Sequence, residues 1–261
     1  MIRKLSLLCT LGILFAFSAG VAQAQESAEW GTIQGQVVWA GDQIPPRMPL
    51  EISQDKEHCL AKGPILSENL IVNPANKGVK NVFVWLVSDP PTPAKKLPVN
   101  PALAKPKENQ AVLDQPTCMF VPHALVLRQG QDLLAKNSAP VSHNIKWEGV
   151  KNAGGNVLLP PGGSYTIEGL KAERLPLHIQ CNIHPWMSAW VGVFDHPYVA
   201  LTDENGKFEI KGAPAGKLRL VAWQESMGYR GGAAGRNGTP IEVKGGQVTD
   251  LGQLELKPRA E

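Results

Sequence analysis

The residues from Cys181 to Met187, read with the intervening Asn182, Ile183, His184, Pro185 and Trp186, place a thiol, an imidazole and a thioether within one short stretch. Soft sulfur favours Cu(I), imidazole accepts Cu(II) and a weak thioether disfavours neither, so this donor set suits a copper ion that changes oxidation state. A strand cannot aim all three side chains at one ion, because alternate residues point to opposite faces. The stretch must therefore leave a strand at Cys181 and turn. Pro185 stiffens that turn by fixing its own φ and restricting His184. A further ligand has to come from elsewhere, and His143 is the natural choice, in the turn-like stretch from Asn137 to Asn144 that follows a candidate strand, Asp132 to Lys136. The plainer alternatives are a buried thiol with core histidines and a packed Met187, or a structural zinc site, for which a thioether is a poor ligand.

The order and spacing of His143 and the Cys181-x-x-His184-x-x-Met187 stretch, with Pro185 after the histidine, resemble the cupredoxins, the blue-copper family. Within that family the compact loop looks most like that of amicyanin. The resemblance implies a Greek-key β-sandwich over residues 111–196 that holds one type 1 copper ion in a plane of His143, Cys181 and His184, with a long axial bond to Met187. It implies that Asn137 and Asn144 tie the two ligand-bearing segments together. Single-electron transfer follows, without catalytic residues and therefore without enzymatic turnover, through redox protein partners that dock near His184. Trp186 and Trp190 flank the loop there, Trp190 being better placed to cap the core.

The elements that must position these residues are strands. Gly and Pro are plentiful, at 26 and 22, and no long stretch keeps apolar residues at helical spacing without a breaker. Alternating segments such as Gly31 to Trp39, Val82 to Val87 and Leu218 to Trp223 predict an all-β chain. Residues 90–110 are rich in proline and lysine and predict an extended connector. Leu201 to Phe208, with the turn Asp203-Glu204-Asn205-Gly206, then Gly212 to Leu220 and Ile241 to Val248, resemble the carboxypeptidase regulatory-like (transthyretin-related, or prealbumin-like) β-sandwich over residues 197–258. The strands of that family that come first resemble Gly31 to Val37 and Val82 to Leu86, which here lie before the copper stretch. The expected architecture is thus a smaller sandwich, drawing on residues 30–89 and 197–258, with the copper domain inserted between its strands. Some relatives of that sandwich bind carbohydrate, which makes carbohydrate a second candidate partner. The alternative function is a non-redox copper-binding or cell-envelope-binding protein.

Arg3 and Lys4, an apolar run from Leu5 to Val21 and the small residues around Ala22 to Ala24 predict a secretory signal over residues 1–24, removed on export to the periplasm or beyond. Without it no stretch is apolar enough to cross a bilayer. The formal net charge is +3, and loss of Arg3 and Lys4 brings it to about +1, which gives no electrostatic case for nucleic acid. In an oxidising compartment the remaining cysteines are Cys59, Cys118 and Cys181. Cys59 and Cys118 are expected as a disulfide; their neighbours His58 and His123 leave open a second metal site of two cysteines and two histidines.

Overall fold

The computed structural model describes residues 29–92 and 95–257. The expected signal at 1–24 lies outside them. The chain is all-β, and its described residues are arranged in four sheets.

Two of these sheets are built from the ends of the chain. The strand Trp30–Trp39 lies between Lys207–Pro214, antiparallel to it, and Val248–Leu256, parallel to it. Facing it, Phe83–Ser88 lies between Val199–Leu201 and Gly216–Gln224, and the last of these also pairs with Thr239–Val243. Alternation along Trp30–Trp39 turns Ile33 and Val37 inward, where they meet Val84, Leu86, Leu220 and Val243 in one apolar core. The turn expected at Asp203 to Gly206 is formed, with Gly206 at φ +73°. A side chain there would also meet the Val37 carbonyl at 2.3 Å, so glycine is required twice over.

The proline-rich stretch carries no strand between Ser88 and Gln110 among the described residues. It is pinned rather than free. The fully buried Tyr198 donates its hydroxyl to the Pro98 carbonyl and accepts the Asn100 N–H, each at 2.8 Å.

The other two sheets carry the candidate site. One runs Ala124–Arg128, Ser188–Phe194, Leu177–Gln180, His143–Glu148 and Gly155–Leu159, in that spatial order; the other pairs Gln110–Leu113 with Asp132–Lys136 and Asp132–Lys136 with Ser164–Ile167. Leu127, Ile145, Ile179 and Val191 of the first sheet pack on Leu113, Leu133 and Ile167 of the second. The two halves of the molecule meet through Phe83, Trp85, Val221 and Trp223 on one side and Ala124 and Phe194 on the other. Trp190 closes this junction edge-on to Trp223 at 5.0 Å between ring centroids, with its Nε1 donating to Glu225 Oε2 at 2.7 Å.

One stretch departs from the expected grouping. Residues 50–65 precede Phe83–Ser88 in sequence, yet Ile52, Cys59 and Ile65 are buried in the core of the site-bearing half. The cause is local: two apolar anchors flank a four-residue helical turn, Lys56–Cys59, whose last residue is bonded to Cys118.

Candidate metal centre

The strand Leu177–Gln180 stops one residue before Cys181, and Ser188–Phe194 starts one residue after Met187, with Ser188 paired to Gln180. The seven residues between are thus the connection joining two neighbouring antiparallel strands. The Met187 N–H donates to the His184 carbonyl at 2.9 Å and the Cys181 N–H to the Met187 carbonyl at 3.4 Å, so the loop is closed on itself. His143 is the first residue of the next strand, beside Leu177–Gln180 in the same sheet. That adjacency brings a residue far away in sequence to the loop.

His143, Cys181 and His184 offer ligand atoms that all lie within 4.8 Å of one another. Cys181 Sγ stands 3.9 Å from His143 Nδ1 and 3.8 Å from His184 Nδ1. A cation at about 2.0–2.1 Å from an imidazole nitrogen and about 2.3 Å from a thiolate, with an angle of about 120° at the ion, needs the two donors about 3.8 Å apart. The three side chains therefore fit a shared ion. Both rings are fully buried and Cys181 and Met187 are each 2 % exposed. Cys181 is the free cysteine among the described residues. Burial, the neighbouring His184 and then His58 push His143 down to about 4, only partly opposed by Asp55, so at neutral pH its ring is uncharged, as a ligand must be.

Asn137 and Asn144 hold this arrangement from behind. Asn144 Oδ1 accepts the N–H groups of Asn182 and Ile183 at 2.7 and 3.2 Å, and its own backbone N–H points at Cys181 Sγ at 3.5 Å. The His184 N–H reaches the same sulfur at 3.4 Å. Two N–H donors thus converge on one sulfur and fix its position beside the two rings. Asn137 Nδ2 donates to the carbonyls of Val141 and Leu159, both at 2.8 Å, while its Oδ1 accepts the Ala139 N–H at 3.0 Å. It clamps the stretch that leads into His143.

No family model matches the chain, and no curated protein matches it. The solved structures that it resembles in part include a cupredoxin, an amicyanin and a nitrite reductase. One is a purple cupredoxin from Nitrosopumilus maritimus, 21% identical over 32% of this chain and 98% of that one, at a TM-score of 0.28. Another is an amicyanin mutant in the Cu(I) state, 14% identical over 42% of this chain and 97% of that one, at 0.29. A third is the copper-containing nitrite reductase of Thermus scotoductus SA-01, 20% identical over 38% of this chain and 27% of that one, at 0.31.

The sequence does not single out Asp55. Its Oδ2 accepts a hydrogen bond from His184 Nε2 at 2.8 Å, and its side chain is 40 % exposed on the outside while the ring beneath is wholly enclosed. Because the carboxylate accepts, the proton sits on Nε2 and the Nδ1 lone pair is left facing Cys181. No motif marks this aspartate; it arrives through a fold-back of residues 50–65 that only the tertiary structure shows. The same fold-back covers the ring at the expected docking place: His184 lies beneath Asp55, and Trp186, edge-on to it at 5.1 Å, donates its Nε1 to the Cys118 carbonyl.

Cys59 and Cys118 form the expected disulfide, with their Cα atoms 5.4 Å apart. The four-ligand site left open for them is not assembled. His123 is hydrogen-bonded to Glu225 and lies 3.7 Å from Glu68, while His58 keeps a buried Nε2 with no hydrogen-bond partner among the described residues. His178 stacks on Trp190 with ring centroids 4.4 Å apart and bonds Ser188 Oγ at 2.9 Å, a packing role.

Proposed function

We propose that this protein holds one copper ion through His143, Cys181 and His184, with Met187 as a further, weak ligand, and passes single electrons between protein partners without turning over a substrate itself. The observation that carries this reading is the pair of nitrogen-to-sulfur distances at Cys181, 3.9 and 3.8 Å. When bound, the ion supplies a one-electron redox couple. The chain's own part is to exclude water, to keep His143 uncharged, to present Nδ1 of His184 and to hold the thiolate with two N–H groups. The rigid, enclosed setting limits rearrangement between the two oxidation states, which is what fast electron exchange requires. In this reading the protein is exported, the disulfide being in keeping with an oxidising compartment, and the chain divides into a copper domain and a flanking sandwich built from both ends. Among the described residues no helix is long and apolar enough to cross a membrane.

One observation favours the alternative, a protein that holds copper without exchanging electrons, because His184 has no exposed edge for a partner. Voltammetry of the copper-loaded protein on an electrode separates the two. Electron transfer predicts a reversible one-electron wave that persists at fast scan rates. A copper-loaded, folded protein that gives no wave supports holding alone.

A further inference from the structure

An ion bound for the enclosed centre needs a way in. His143 and His184 are fully buried, and Asp55, which accepts the His184 Nε2 proton, belongs to the stretch that the disulfide staples down. From Ser53 to Glu57 this stretch is exposed. Its inner side holds Cys59 and Cys118, and the two sulfurs and a ring nitrogen of His184 all lie within 4.8 Å of one another. His184 thus belongs to two groups of potential ligands, one with Cys181 and His143 and one with the cysteine pair. Beside the pair, His58 retains its unused buried Nε2 and acts electrostatically on His143.

We propose that Cys59 and Cys118, in their dithiol form, make with His184 a second site for Cu(I), through which the ion passes to Cys181. Two thiolates and one imidazole are a soft donor set that suits a monovalent cation of low coordination number. The disulfide cannot serve, because the thiolate is the ligand. The dithiol is the state of the chain before oxidation, and an external dithiol restores it: two electrons and two protons cleave the bond between the sulfurs while the donor becomes a disulfide. Binding of Cu(I) releases the thiol protons to solvent. Exchange with an external disulfide then re-forms the Cys59–Cys118 bond, reduces that disulfide to thiols and removes both thiolates from the ion. His184 is left to Cys181 and His143, and the cover is closed over the occupied centre.

The passage to Cys181 rests on the blue-copper reading, whereas the second site itself does not, and its test therefore removes Cys181. The full-length Cys181→Ser protein is titrated anaerobically with Cu(I) against a chromophoric Cu(I) chelator, once with the disulfide intact and once after reduction with dithiothreitol and gel filtration. The reduced form is expected to bind one ion on the order of 100-fold more tightly than the disulfide form, and adding His184→Asn is expected to weaken it by about tenfold or more. X-ray absorption at the copper edge should then give two sulfur neighbours. Equal affinities in the two forms, indifference to His184→Asn, a single sulfur neighbour, or a reduced chain that circular dichroism finds unfolded would each overturn the proposal. Colour and redox behaviour of the wild-type protein with its disulfide intact test the first centre separately.

Discussion

Replacing Asp55 by asparagine isolates what the carboxylate does for His184. Asp55 sits in the left-handed backbone region at φ +47°, which asparagine tolerates, whereas alanine would add on the order of 1 kcal/mol of backbone strain. The Asp55→Asn side chain keeps an oxygen that can accept the Nε2 proton, so ring orientation and tautomer survive and only the charge is lost. A charge-assisted hydrogen bond has a net worth of about 1.5–3 kcal/mol, and its neutral counterpart about half that. With the side chain 40 % exposed, the lower end applies. The expected loss is about 1 kcal/mol of Cu(II) affinity, roughly five- to tenfold. Cu(I), with one positive charge fewer, loses less, so the reduction potential rises by up to about 60 mV at 59 mV per tenfold difference. Competition with a chelator for each oxidation state and voltammetry on the same samples measure both quantities. Cu(II) affinity within about twofold of wild type, together with an unmoved potential, would refute the argument that Asp55 tunes His184.

Asn144→Ala leaves the N–H groups of Asn182 and Ile183 without their acceptor in a half-buried loop, and should destabilise the metal-free protein by about 1–2 kcal/mol in chemical denaturation. Gly206→Ala combines a positive φ with a Cβ 2.3 Å from the Val37 carbonyl, and should cost more than about 2 kcal/mol in the same assay while leaving the copper spectrum of the folded fraction unchanged. Burial pushes His196 down to about 4 from its ordinary 6.5, with the Tyr198 N–H donating to its Nδ1, so the ring is held neutral in the folded state. Its folded value is depressed. Its contribution is therefore complete above pH 6.5 and lost as pH falls from there toward about 4, by on the order of 3 kcal/mol in all, and His196→Gln should flatten that slope.

The loop from Cys181 to Met187 could be singled out as a candidate because its chemistry is local. Thiol, imidazole and thioether fall within seven residues, and the turn that Pro185 enforces is the one that joins Leu177–Gln180 to Ser188–Phe194. His143 could be chosen by residue type, although its place beside the loop depends on the pairing of two strands. The alternating strands were legible for the same local reason: Asp132–Lys136 lies where its pattern put it, and Trp30–Trp39 extends its expected range by one residue. Pairing between distant strands has no local signal, since alternation identifies a strand without naming its neighbour. Asp55 and the fold-back over His184 left no trace in periodicity. A single aspartate before a short helical turn looks like any exposed acid, and what makes it a partner of His184 is the burial of Ile52 and Ile65 and the bond between Cys59 and Cys118. His123 likewise paired with Glu225 through the meeting of the two halves of the molecule, a contact that no local pattern encodes.

The central claim is that Cys181, His143 and His184 share one copper ion. It is tested most directly by titrating the metal-free protein with Cu(II) while recording visible absorption and electron paramagnetic resonance, with Cys181→Ser alongside. The account predicts an intense thiolate-to-copper band that saturates at one equivalent, with narrow copper hyperfine splitting, and the loss of both in the variant. A folded wild-type protein that takes up copper without either signal, or a variant that retains them, would contradict it.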